Sequence, residues 1–334
     1  MLRHRDALPQ LGSDLFLTDG GLETTLIHHH GLVLPWFAAY VLLETYDGQA
    51  HLVRYYQRYA RLAETHRLGL ILESPTWRAN RDWGARLGHS RRTLALYNRE
   101  AIGLMAELRD VQPPSRRPIV ISGNLGPRGD GYVPGAQMTA SEAADYHAEQ
   151  VGTFALTEAD LVSAFTLSYA EEGMGIALAA KAMGMPVVLS FTVETDGRLP
   201  SGETLQSAIE RTDEVTGGAP AYYMVNCAHP THFAAVLTRG AAWVQRIRGI
   251  RANASRLSHA ELDQRPTLDD GNPEALGADY GHLKRLLPNL RVAGGCCGTD
   301  HRHVEAMAWG LRGARRSAPI LSRGLGDAAD RRTA

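Results

Sequence analysis

Alternation is the property of this chain that most restricts its fold. Short apolar, β-like runs occupy residues 15–18, 69–72, 118–122, 160–165, 186–191, 221–225, 241–247 and 290–293. Helical patterns separate them. They cover 48–66, 90–110, a stretch capped by Thr139 or Ser141 and running to about 157, 170–183, 204–215, a segment opening at His229-Pro230, 273–287 and 302–312. In the first of these, Leu52, Tyr55, Tyr56, Tyr59, Leu62 and Ala63 recur at three-and-four spacing. Prolines after Gln112 end the second. Strand–helix units repeated without a composition break predict a parallel α/β architecture. Eight of them in about 300 residues fit a closed (β/α)8 TIM barrel better than an open doubly wound sheet. One domain over 12–312 is the economical reading, followed by a weakly ordered arginine-rich tail over 313–334.

Composition narrows the partners. Net charge is −1 over 334 residues, so no global field draws the chain to nucleic acid or to a membrane. Three cysteines form no disulfide framework and point to a reducing compartment. The first residues lack the apolar core of a signal peptide, and no apolar run approaches a membrane span. The expectation is a soluble, cytoplasmic protein with small-molecule partners, as a single chain or a homo-oligomer.

Barrel enzymes build their sites where strands end. Asp19, Glu73, Asn124, Phe165, Thr192, Cys227, Cys296 and Cys297 all fall there. Three thiolates converging at one barrel end would suit Zn2+, a tetrahedral ion that then keeps a fourth position for chemistry. Two other readings stand beside this: a vicinal Cys296–Cys297 disulfide, or small buried residues packing a glycine-rich turn. Asp19-Gly20-Gly21 reads as a turn, or as a carboxylate with two small backbone units at a strand end. The glycine-rich segment 123–135 lacks the lysine and hydroxyl of a P-loop and reads as a loop over a pocket. His28, His29 and His30 read as a solvated helix end. The polar stretch 251–272 is long enough to be a functional loop.

Thr18-Asp19-Gly20-Gly21, Asn226-Cys227 and Gly294-Gly295-Cys296-Cys297-Gly298-Thr299 together resemble the homocysteine S-methyltransferase family, and the order of these motifs agrees from about residue 12 to residue 312. The resemblance implies a barrel enzyme whose Cys227, Cys296 and Cys297 hold Zn2+. It implies that the substrate thiol enters as a fourth ligand, so that the zinc-bound substrate thiolate is the nucleophile and no side chain plays that part. It also implies that Asp19, Gly20 and Gly21 help hold the acceptor amino acid. The site set is completed by Glu73, Asn124, Phe165 and Asn226. The donor must carry a good leaving group, and with no room for a cobalamin or folate domain a small onium is expected: S-methylmethionine, S-adenosylmethionine or betaine, yielding methionine from homocysteine. Trp36, Trp77, Tyr132 and Tyr169 could surround such a cation.

One departure stands out. Where the family has a glutamate after the fourth strand, this chain reads Ser163-Ala164-Phe165-Thr166-Leu167. Phenylalanine cannot pair with an ammonium as a carboxylate does, so Glu73 could supply the charge, or the acceptor could be another thiol. Residues 251–255 also differ from better-known members. A metal-free redox barrel and a barrel without turnover are the remaining alternatives.

Overall fold

Hydrogen-bond register decides the architecture of the computed structural model, which describes residues 3–112 and 117–313. Its strands are β1 (Phe16–Leu17), β2 (Gly69–Glu73), β3 (Ile119–Leu125), β4 (Leu161–Leu167), β5 (Val187–Phe191), β6 (Tyr222–Asn226), β7 (Ile247–Ala252) and β8 (Val292–Gly295). Each pairs in parallel with the next, and β8 returns to β1 through Phe16↔Val292 and Leu17↔Ala293. The expected closed barrel is therefore present, in one domain. The arginine-rich tail expected over 313–334 lies outside the described residues, Gly313 excepted. No helix among the described residues is long and apolar enough to cross a membrane.

Local sequence chemistry sets the outer helices. Thr45, Ser90, Thr139 and Thr204 each accept an N–H of the following turn, starting Tyr46–Thr65, Arg91–Asp110, Ala140–Ala155 and Leu205–Thr216. Thr139 and Glu142 complete a capping box. The helices bury Leu52, Tyr55, Tyr56 and Tyr59 in the first case, and Leu94, Ile102 and Met105 in the second, against the outside of the sheet. A separate apolar cluster, including Phe16, Ile71, Val120, Leu161, Phe165 and Met224, fills the barrel itself. The lower barrel is thus a packed core, and only its C-terminal mouth is polar.

Several expected strand bounds need correction. The run 241–247 is not the seventh strand: Ala242–Gln245 is a short helix burying Trp243 and Val244, and the strand is Ile247–Ala252. A short apolar run does not distinguish helix from strand by period. Arg251 and Ala252, expected to open a polar loop, accordingly belong to β7. The eighth strand also sits further along, so that Gly294 and Gly295 lie within it. β3 and β4 likewise extend past their expected runs, taking in Gly123, Asn124 and Leu125 in the first and Thr166 and Leu167 in the second.

Candidate active site

Cys227 directly follows β6 and Cys296 directly follows β8. The strands flank β7, and both cysteine amides donate to it: Cys227 N to Arg251 O at 3.0 Å and Cys296 N to Ala252 O at 2.8 Å. Ala254 N in turn donates to Cys297 O at 3.0 Å. The three Sγ atoms come within 4.8 Å of one another, the one such cluster of metal-ligating side chains among the described residues. Cys227 and Cys296, Cα atoms 5.3 Å apart, are joined as a disulfide, and Cys297 is a free, exposed thiol. The vicinal Cys296–Cys297 pairing considered from the sequence is therefore corrected. The residue facing Cys296 is the strand-end cysteine of β6, at an ordinary disulfide Cα separation.

Asn226 fixes the geometry beside Cys227. Thr166 and Cys227 both adopt left-handed backbone, with φ of 62° and 53°. Such strain at non-glycine residues persists only where the surroundings hold it. The Asn226 amide does so: Oδ1 accepts Thr166 N at 2.9 Å and Ser190 Oγ at 2.6 Å, and Nδ2 donates to Thr166 Oγ1 at 2.8 Å. Asn226 was expected to contact substrate. In this structure both ends of its amide bond protein partners.

Asp19 lies two residues past β1 and is buried. Its Oδ1 accepts Arg251 Nη1 at 2.5 Å and its Oδ2 accepts Tyr55 OH at 2.9 Å. Arg251 also donates to Thr18 Oγ1 at 2.6 Å and Gly20 O at 3.2 Å, and its guanidinium sits 5.1 Å from the Phe165 ring centroid. Burial disfavours the charged guanidinium, but Asp19 outweighs it and holds the Arg251 pKa above its ordinary value. Burial, then Asp19, pushes the Tyr55 hydroxyl well above its usual range. Gly21 allows close approach: a Cβ there would stand 2.6 Å from Cys296 O. Its amide donates to Thr299 O and Oγ1 at 3.0 and 3.1 Å, tying the first loop to the cysteine loop.

Glu73 ends β2, 4% exposed, with Oε1 accepting Ser163 Oγ at 3.4 Å and Oε2 buried without a partner. Burial raises its pKa to about 7, against the opposing pull of Arg251. Asn124 Oδ1, Thr192 Oγ1 and Asn253 Oδ1, near the ends of β3, β5 and β7, are also buried without partners. Unspent polar capacity gathered at a barrel mouth suits a polar ligand.

Sequence reading misses Arg251, Glu23 and Arg78. Glu23 has its pKa raised to about 7 by burial, with a smaller push from Asp19 and an opposing pull from Arg251 and Arg78. Its position four residues after Asp19 is the available signal; for Arg251 it is the strand that the sequence reading placed too early. The aromatic proposal narrows to one residue. Arg78 lies 3.8 Å from the ring centroids of both Trp77 and Trp83, already filling a cation's place. Trp36 is 55% exposed beneath Arg86, and the Tyr169 hydroxyl accepts Met138 N at 3.2 Å. Tyr132, by contrast, reaches the sulfurs: its hydroxyl is 3.7 Å from Cys297 Sγ, and its ring lies 3.9 Å from that of His259. The 123–135 segment thus brings Tyr132 against Cys297. His28 and His29 are solvent-facing, while His30 is half-buried against His51.

The homocysteine S-methyltransferase family model matches residues 16–311, and the chain belongs to that family, a methyltransferase family. Among solved structures, it is similar to the homocysteine methyltransferase MmuM from Escherichia coli. The oxidized form shares 19% identity over 91% of this chain and 99% of that one, with a TM-score of 0.71. The metallated form shares 19% over the same fractions, with a TM-score of 0.69. These likenesses establish the fold. No curated protein sequence matches.

Proposed function

We propose that this protein is a zinc-dependent S-methyltransferase that moves a methyl group from a small onium donor to a homocysteine-type thiol, with methionine as the product when homocysteine accepts. The observation that carries the proposal is the meeting of all three cysteines at the barrel mouth. The donor set fits the ion. Tetrahedral zinc with Zn–S of about 2.3 Å would space its sulfurs by about 3.8 Å, inside the observed spread. Bound zinc would accept the substrate sulfur as a fourth ligand and favour its thiolate at neutral pH. The metallated state of MmuM, with the same fold, supports this assignment.

The chain's own residues set the rest. Asn226 and Thr166 hold the loop that carries Cys227. Gly21 and Thr299 hold the loop that carries Cys296 and Cys297. Tyr132 lies against Cys297 with His259 packed on its ring, where the two would exclude water and face the positive charge of the donor. In the reaction the acceptor gives up its thiol proton to solvent, a sulfur–methyl bond forms, and the methyl–onium bond breaks with its electron pair staying on the donor, which leaves neutral. S-methylmethionine, S-adenosylmethionine and betaine all satisfy that balance. A reducing cytoplasm would keep the three thiols available.

The joined Cys227–Cys296 pair supports a second state of the same site, an oxidised, metal-free form with two ligands consumed. The deciding experiment is zinc K-edge X-ray absorption on reduced, zinc-loaded protein before and after homocysteine. Three sulfurs plus one lighter ligand should become four sulfurs. Failure of the reduced protein to bind zinc would overturn the proposal.

A further inference from the structure

Resting on that methyl-transfer reading, we infer that Glu73, flanked by Asn124, binds the α-ammonium of the acceptor amino acid, and that this contact determines which thiols the protein takes. Side-chain alternation places both groups inside the barrel. Ile71 and Val120 belong to the apolar cluster that fills it. Glu73 follows Ile71 by two residues and Asn124 follows Val120 by four, so all four side chains share the inner face. β2 pairs with β3 through Glu73↔Ser122, which puts Asn124 one pleat nearer the mouth on the same wall. Across the ring from β3 lies β7, flanked by the strands that lead into the cysteines. Asn253, just past the end of β7, donates Nδ2 to Cys227 O at 3.0 Å. A thiol held by the cysteines therefore has the Glu73–Asn124 wall in front of it.

Asp19 and Glu73, the buried carboxylates at the ends of β1 and β2, differ in what they have left to accept. Both Asp19 oxygens are engaged, one by Arg251 and one by Tyr55. Glu73 is 4% exposed, yet only Ser163 Oγ reaches it, at 3.4 Å on Oε1, and Oε2 has no partner. Arg251 directs its bonds to Thr18, Asp19 and Gly20 and none to Glu73. A buried carboxylate left alone is unfavourable until a cation meets it. Asn124 Oδ1 beside it and Asn253 Oδ1 across the mouth are further acceptors without donors. The missing partner is thus a positively charged group that brings N–H donors. A primary ammonium, with three donors and no acceptor, has that chemistry. A sulfonium or trimethylammonium head has no N–H, so these oxygens do not suit the donor's onium centre. Glu73 also supplies from β2 a charge that Phe165 cannot offer from β4.

Homocysteine and its desamino analogue 4-mercaptobutanoate differ only in the ammonium. Calorimetric titration of each into reduced, zinc-loaded wild type should show homocysteine binding at least about tenfold tighter, the lower end of what one charge-assisted contact gives. Glu73→Gln should abolish that preference by weakening homocysteine alone. Unchanged binding of 4-mercaptobutanoate then shows that the variant's cysteine site is whole. Glu23→Gln, which alters a carboxylate on the turn after β1 and outside the barrel strands, should leave the preference intact. A wild type without the preference, or a Glu73→Gln protein that keeps it, would overturn the inference and leave the methyl-transfer reading standing. So would a Glu73→Gln loss confined to S-methylmethionine, which would assign the carboxylate to the donor. No heat with either thiol in wild type would sink that reading as well. Asn124→Ala, which should narrow the preference by at least about threefold, decides the question if Glu73→Gln does not fold.

Discussion

Replacing Glu73 by glutamine tests how the barrel mouth treats buried charge. Glu73 is 4% exposed, so solvent screens it little, and burial raises its pKa from 4.5 to about 7. The folded protein thus binds this proton more tightly than the unfolded chain does. At low pH the bound proton costs nothing, and stability falls as pH rises from about 4.5 to about 7, where the folded state must ionise a buried carboxyl. Each pH unit of that difference is worth about 1.4 kcal/mol, so the full cost well above pH 7 is about 3.5 kcal/mol. Glu73→Gln keeps the shape and removes the titration. Urea denaturation of both proteins, reduced and metal-free, at pH 5 and pH 8 isolates the effect, because the cysteines and other groups titrate alike in each. Wild type should lose about 2.5 kcal/mol more than the variant between these pH values, and the variant should be the more stable protein at pH 8. Parallel losses, within about 0.5 kcal/mol, would refute the reasoning and show that Arg251 and the neighbouring serines keep Glu73 ionised at low cost.

Two further substitutions probe the same region. Arg251→Met leaves Asp19 buried with Tyr55 alone, and should cost about 3–5 kcal/mol in urea denaturation, with Asp19→Asn added to it recovering most of the loss. Gly294→Ala would drive a Cβ onto Thr18 Oγ1, a partner of Arg251, where β8 closes against the β1 end. A loss of about 1–3 kcal/mol and weaker zinc retention under a competing chelator are expected, measured by denaturation and by metal analysis.

The barrel was legible in the sequence because its strands alternate with capped, amphipathic helices, and that signal is local. The cysteine mouth was legible for a related reason: strand ends of a parallel barrel share one rim, so residues at 227, 296 and 297 must meet once closure is assumed. The seventh strand was misplaced, since the short apolar run 241–247 carries no period that separates helix from strand. That error hid Arg251, which as a loop residue would face solvent but as a strand residue lies in the barrel mouth. Asn226 illustrates the converse. Its neighbour Cys227 marked it as a site residue, and only the fold shows its amide also bracing Thr166 and Ser190.

The amino-acid sequence by itself determined the eight-unit barrel, the family and the three thiols, because periodicity, capping and strand-end position are encoded along the chain. Only the tertiary structure decided which charges meet. Arg251 and Asp19 stand 232 residues apart in sequence and 2.5 Å apart in space. The strength of such a pair depends on distance and burial, which barrel closure supplies and no stretch of sequence contains.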